Sequence, residues 1–237
     1  MGVKLDGISV ILLIHNEIET IHDEIQEWSQ LLSEIPNSEL ILTEDGSSDG
    51  TTEYLNSISD SKIVKCQSKF RRGYRQAFID AVEKSQFSFV FLADTGRKHD
   101  LNDFWSFYHR RKHFDLINGL KVHRQDSFIR IMMTKILNLI IRHLFGIKVF
   151  DADCGFRLYN KKILEKTIKT CPEFNDFINL ELTLKFILNG NRYLEVPITY
   201  FQRKGKSRSL PIKKLPKKIS RLLLELLRLR KSYHFKY

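Results

Sequence analysis

The chain has 237 residues, 42% hydrophobic and 28% charged, proportions that suit a packed globular fold and exclude a mostly disordered one. Its formal net charge of +11 is uneven: residues 203–237 carry thirteen Lys and Arg against one acid, Glu225, which leaves the first 202 residues close to neutral. The longest apolar stretch, residues 131–150, is broken by Lys135, Arg142, His143 and Lys148, so no transmembrane helix is expected.

The opening MGVKLD lacks the apolar core of a signal peptide and has Asp6 where a myristoylation signal takes Ser or Thr. Cys66, Cys154 and Cys171 show no CxxC spacing, which favours a reduced, cytosolic setting over a disulfide or zinc scaffold. Residues 8–14 form an apolar, β-branched run too short for a buried helix and read as a strand covered on both faces. Asn16 and Glu19 make a capping pair for a helix in which Ile18, Ile21, Ile25, Trp28, Leu32 and Ile35 recur at steps of three and four until Pro36. A short strand over 40–43 runs into the acidic, glycine-rich turn 44–50, and 52–57 reads as helix. Strand 62–66, helix 73–84 and strand 87–93 follow; after the loop 94–99, Asp100 caps a helix whose apolar face is Leu101, Phe104, Trp105 and Tyr108. This alternation predicts a parallel sheet sandwiched between helices. The second half is less regular, with a strand over 115–122, a strongly apolar helix over 128–144 and a helix over 177–188 closed by Asn189-Gly190. Residues 193–200 read as a strand that Pro197 places at a sheet edge.

In an open α/β sheet, ligands bind beyond the carboxyl ends of the strands. Three loops there are acidic: His15-Asn16-Glu17, residues 44–50, and Asp94-Thr95-Gly96. Carboxylates at such ends can accept hydrogen bonds from a nucleobase or ribose, or hold a divalent cation that bridges phosphates. Turn and cap chemistry uses the same residue types, but three such loops on one edge favour a site.

The segments ISVILLIHNE (8–17), LILTEDGSSDGT (40–51), RRGYRQA (71–77), FLADTGRKHD (91–100), DADCGFRLY (151–159) and EVPITYFQRKGKS (195–207) stand in the order seen in family 2 glycosyltransferases. The chain resembles the branch of that family similar to dolichyl-phosphate mannose synthase and bacterial polyprenyl-phosphate sugar transferases. The resemblance covers roughly residues 8–210 and implies a Rossmann-like GT-A fold, a mostly parallel α/β sheet flanked by helices, as a domain of residues 1–210; residues 211–237 read from their own pattern as a basic amphipathic C-terminal helix. It places Asn16, Glu17, Glu44 and Asp45 around the base and ribose of a nucleotide sugar, with Arg72 and Gly73 approaching the nucleotide. Asp94 takes the first position of the DxD metal motif, implying Mg²⁺ or Mn²⁺. Asp151, Asp153 and Arg157 fall on the acceptor side, and Arg203, Lys206 and Ser207 resemble the basic loop that closes over diphosphate and acceptor phosphate.

Four departures stand out. Gly96 replaces the second DxD acid; Leu13 and His15 replace the usual Pro and Tyr before Asn-Glu; the basic loop is one residue shorter; and the paired C-terminal transmembrane helices of many relatives are not found. The charge of a nucleoside diphosphate leaving group must still be neutralised. A divalent ion held by Asp94 and the phosphates, helped by His99 or Asp153, would do so; so would Arg97 and Lys98 acting in its stead; a third outcome is lost catalysis. Asp153 reads as a base, a metal ligand or a loop cap.

In the tail, Ile219, Leu222, Leu223, Leu226 and Leu229 form one stripe opposite Arg221, Glu225 and Arg228, which suits either an anionic membrane surface or packing on the body. The apolar run 131–141 offers a second amphipathic surface. Nucleic acid is disfavoured because the tail's aromatics are confined to Tyr233, Phe235 and Tyr237. The reading is an inverting transferase that moves a hexose from a UDP- or GDP-sugar to a polyprenyl phosphate, peripheral on the cytosolic membrane face. The alternatives are transfer to a growing glycan and a catalytically silent nucleotide-sugar-binding partner.

Overall fold

A computed structural model of the chain describes residues 6–122, 128–171, 177–203 and 215–233. Seven strands make one sheet: β1 (Ile8–Ile14), β2 (Ser38–Asp45), β3 (Ile63–Ser68), β4 (Phe89–Asp94), β5 (Leu116–Val122), β6 (Phe156–Asn160) and β7 (Tyr193–Thr199), in the order β3-β2-β1-β4-β6-β5-β7. Every pairing is parallel except those of β6, which runs against both β4 and β5. β7, the strand with Pro197, pairs with β5 alone and lies at the edge. The helices are α1 (Ile21–Ser33), α2 (Thr51–Ser57), α3 (Tyr74–Lys84), α4 (Phe104–Arg110), α5 (Phe128–Phe145), α6 (Lys161–Ile168), α7 (Ile178–Leu188) and α8 (Leu215–Ser232). Asp100 caps a single 3₁₀ turn, Leu101–Asp103, that leads into α4, its side chain accepting from the Asn102 N–H at 2.9 Å.

Because successive strand residues point to opposite faces, β1, β2 and β4 feed two cores at once. Ile8, Val10, Leu12, Phe89, Phe91 and Ala93 join Trp28 of α1 and Phe104 and Phe107 of α4 in one core. Ile11, Leu13, Val90 and Leu92 pack on the other side against Phe78, Ala81 and Val82 of α3, with Leu164 of α6 and Leu182 of α7. Phe91 meets Phe156, Phe104 and Phe107 edge-to-face with centroids 4.7, 5.0 and 5.5 Å apart, contacts worth ~0.5–1.5 kcal/mol each beyond burial. A third core joins α5, α7 and α8 through Ile141, Phe145, Leu180, Leu184, Leu222, Leu226 and Leu229.

Two expectations change, and one alternative left open for the tail is decided. Asn16 is not a helix cap: it adopts φ 54°, α1 begins at Ile21, and no side chain caps that helix. The strand β6 and helix α6 have no counterpart among the expected elements. The α8 stripe Leu222, Leu226 and Leu229 packs on the body, and the exposed leucines are instead Leu224 and Leu227; the side chain of Ile219 lies outside the described residues.

Candidate functional site

The loops after β1 and β2 are laced together by their own polar side chains. Asn16 N–H donates to Ser47 Oγ at 2.8 Å and Asn16 Oδ1 accepts from Ser48 N–H at 2.7 Å, while Glu17 N–H donates to Thr51 Oγ1 at 2.9 Å. Glu44 takes the Ser47 N–H at 2.5 Å. Asp45, nearly buried, accepts from the Arg72 and Gly73 N–H groups at 2.6 and 2.8 Å and so ties the start of α3 to the end of β2. Gly46 is required there: at φ +65°, an added Cβ would lie 2.6 Å from the Arg71 nitrogen. Glu44, Asp45 and the backbone of residues 72–73 thus share one edge, as expected, whereas the Arg72 guanidinium turns to Asp80 of α3.

Asp94 ends β4 and is the hub. Its Oδ2 pairs with Lys98 Nζ at 3.2 Å, and its Oδ1 accepts from the Tyr74 hydroxyl at 3.3 Å, itself held by Asn179 at 2.9 Å. Burial alone would raise the Asp94 carboxyl; Lys98, His99 and Lys121 outweigh it and hold the group at about 2, so it is anionic at neutral pH. The loop that enters β6 lies directly on it, with Asp94 N–H donating to Gly155 C=O at 2.9 Å and a Cβ on Gly155 falling 2.2 Å from the Asp94 carboxyl carbon.

That loop brings the residues expected on the acceptor side to Asp94. Asp151 is buried and pairs with Lys121 of β5 at 3.4 Å, while Glu195 of β7 caps the Phe150 and Asp151 N–H groups at 3.0 and 2.8 Å. Burial pushes Asp153 up to about 7, with the Asp151 and Asp94 charges adding to it against Arg157 and Lys121. Arg157 does not reach a phosphate in this arrangement. It is fully buried and donates to the carbonyls of Cys154, Asn179 and Ala152, to the Tyr159 hydroxyl and to Thr183, so it holds the loop that carries Asp151 and Asp153.

The loop after β4 corrects the cation expectation. Arg97, at φ 50°, turns back to α1 and pairs with Asp23 at 2.8 Å and Glu27 at 2.6 Å, while Glu24 takes its N–H; only Lys98 faces Asp94. His99 packs on Phe156, centroids 4.7 Å apart, with both ring nitrogens buried and without a hydrogen-bond partner among the described residues. Burial drops it to about 3 against the pull of Asp94, so it is neutral at pH 7. Beside it, a cavity of about 330 Å³ is lined by Glu24, Trp28, Asp94, Lys98, His99 and Phe201.

The chain leaving β7 runs along this loop, with His99 bridging Tyr200 and Phe201 N–H donating to Lys98 C=O at 2.8 Å. Arg203 is thereby laid over Gly96 and bonds both oxygens of Glu17 at 2.5 Å. Lys206 and Ser207 lie outside the described residues. Tyr74 and Glu195 lie within the quoted segments 71–77 and 195–207, whereas Glu24 carries no motif signal and the one signal for Lys121 is a lysine near the carboxyl end of an apolar strand.

The model of the family "Glycosyl transferase family 2" matches residues 9–168, more than half of the sequence and all three acidic loops. The chain belongs to glycosyl transferase family 2. Among curated proteins it is 24% identical over 207 residues to the undecaprenyl-phosphate 4-deoxy-4-formamido-L-arabinose transferases of Salmonella choleraesuis and Salmonella newport, an alignment spanning 85% of this chain and 62% of each relative. Among solved structures, glucosyl-3-phosphoglycerate synthase from Mycobacterium tuberculosis, in complex with Mn²⁺, UDP and glucosyl-3-phosphoglycerate, is 18% identical with a TM-score of 0.69, over 93% of this chain and 80% of that one. The same synthase with Mg²⁺ and UDP gives a TM-score of 0.70 at 18% identity over 93% and 79% of the two chains. Mannosyl-3-phosphoglycerate synthase from Rubrobacter xylanophilus gives 0.66 at 12% identity over 98% and 76%. These likenesses establish the α/β GT-A fold. Among the described residues, no helix is long and apolar enough to cross a membrane.

Proposed function

We propose that the chain is an inverting glycosyltransferase that moves a sugar from a UDP- or GDP-sugar to a polyprenyl phosphate. The observation that carries this reading is the direct packing of the 151–155 loop on Asp94, which supports it by bringing the residues expected on the donor side and those expected on the acceptor side together at the carboxyl ends of the strands. The undecaprenyl-phosphate transferases supply the acceptor class, and their arabinose derivative widens the expected hexose to include pentose derivatives.

In the reaction, a phosphate oxygen of the acceptor bonds to the anomeric carbon while the bond from that carbon to the diphosphate breaks, its electron pair leaving with the nucleoside diphosphate. A phosphate monoester with a second pKa of ~6 is largely dianionic at pH 7, so it needs positioning more than deprotonation. Lys121, held on Asp151, supplies a cation on that side. Asp94 fits as one ligand of a divalent ion. Among the described residues no group of three or more His, Cys, Asp and Glu is arranged to hold one, so the remaining ligands would come from the donor's phosphates and water. Bound there, Mg²⁺ or Mn²⁺ would neutralise charge on the leaving diphosphate.

Docking to the cytosolic face of an anionic membrane belongs to the same reading. Phe128, Ile129, Met132, Ile136 and Leu139 are exposed along one side of α5, and Leu224 and Leu227 are exposed on α8 beside Arg228 and Lys231. Each basic residue near an anionic surface adds ~1 kcal/mol. A second reading, a silent nucleotide-sugar-binding partner, is favoured by Gly96 alone. Incubation of the protein with UDP- and GDP-sugars and a short polyprenyl phosphate separates the two: lipid-linked sugar formed by the wild type and abolished in Asp94→Asn supports transfer, and no product with any donor refutes it.

A further inference from the structure

Gly96 stands where the family's second metal-binding acid is expected, and its space is filled. A Cβ built on it would meet the Arg203 side chain at 2.9 Å from Cγ, 3.1 Å from Cζ and 3.2 Å from Nη1, and its φ of +96° disfavours any side chain. An aspartate at this position would collide with a guanidinium that arrives from the far end of β7.

The guanidinium is fixed in place. Glu17 binds it with both oxygens and is itself anchored, its carboxylate accepting from the Thr95 hydroxyl at 2.8 Å and its N–H donating to Thr51 at 2.9 Å. Arg203 Nε is buried, with no hydrogen-bond partner among the described residues, and both contacts to Glu17 are made by Nη2. Lys98 stands on the other side of the same loop, on Asp94. Where an acid needs a divalent ion to bridge it to a phosphate, a guanidinium binds phosphate oxygens directly and in pairs.

The geometry points to a charge exchange: Arg203, positioned by Glu17, occupies the place of the lost acid and grips the nucleoside diphosphate itself, so diphosphate binding persists without a divalent ion. This rests on the proposed reading that a nucleotide sugar occupies this edge. Arg203 is then a binding residue and Glu17 a positioning residue.

Calorimetric titration of the full chain with UDP, GDP and the corresponding monophosphates, in EDTA and in Mn²⁺, tests it. For wild type, chelation is expected to weaken diphosphate binding by less than about threefold. In EDTA, Arg203→Ala is expected to weaken diphosphate binding about tenfold or more, with monophosphate binding changed far less and Arg203→Lys intermediate. A wild-type affinity that falls tenfold on chelation overturns the inference without needing any variant to fold, as does an Arg203→Ala protein that binds diphosphate like wild type in EDTA. If neither diphosphate binds wild type in either buffer, the nucleotide-sugar reading itself fails and this inference falls with it.

Discussion

Replacing Gly155 by alanine adds one methyl group at the point where the two halves of the site touch. Gly155 is not among the residues with positive φ, so alanine meets no backbone penalty, and the whole effect is steric. The new carbon would sit 2.2 Å from the Asp94 carboxyl carbon and 2.3 Å from both of its oxygens, against an ordinary contact of 3.4 Å or more. The carboxylate must therefore retreat by about 1 Å or the 151–155 loop must lift by as much, and a displacement of ~1 Å at a reacting centre can cost ~10²-fold in rate. The Asp94 carboxylate is not free to yield without loss, because Lys98 and Tyr74 both bind it. Overpacking of this kind costs roughly 1–3 kcal/mol of stability, which leaves most folds intact. The assay is sugar transfer per folded protein, with thermal melting as the control. Gly155→Ala with wild-type kcat and KM would refute the argument that the 151–155 loop seats directly on the Asp94 carboxylate.

Other consequences follow from the same contacts. Burial raises Glu24 from 4.5 to about 7, so the stability it contributes is fully present below its unfolded pKa of 4.5 and is lost as pH rises through 7. Between pH 5 and 8.5, wild type is expected to lose up to about 3 kcal/mol relative to Glu24→Gln, measured as the difference in denaturant midpoints; parallel curves would contradict this. Arg157→Lys removes most of a buried network of carbonyl and hydroxyl contacts and should destabilise by ~3–5 kcal/mol by urea unfolding, whereas a loss under 1 kcal/mol would show that the network is not holding the loop. On α5, Ile136→Glu with Leu139→Glu should abolish flotation with anionic vesicles at unchanged stability, since both side chains are exposed. Leu226→Ala on α8 should instead cost ~2–5 kcal/mol.

Much of the first half was legible because buried strands of a parallel sheet read as short apolar runs and their helices as periodic ones. β1, α3 and β4 fall within two residues of their expected bounds. β6 was hidden for the opposite reason. Its five residues include Arg157 at the second position, and a charged residue there reads as a loop unless the fold supplies it with acceptors, as Cys154, Asn179 and Ala152 do. Asn16 offered a cap signal, but its side chain is more useful to Ser48 across the loop, and the helix starts a turn later. The α8 pattern carries leucines on two faces, and periodicity alone does not say which one meets the body. The expected acidic loops do converge; the pairing of Gly96 with Arg203, and of Asp151 with Lys121, depends on strand order that no local pattern encodes.

The account turns on one reaction. The direct measurement is transfer of labelled sugar from a panel of UDP- and GDP-sugars to a polyprenyl phosphate, comparing wild type with Asp94→Asn and Asp151→Asn. The predicted result is a lipid-linked product with at least one donor in wild type, lowered by ~10²-fold or more in Asp94→Asn and clearly reduced in Asp151→Asn. Wild-type protein that binds a nucleotide sugar yet forms no product with any donor, or an Asp94→Asn variant as active as wild type, would contradict it.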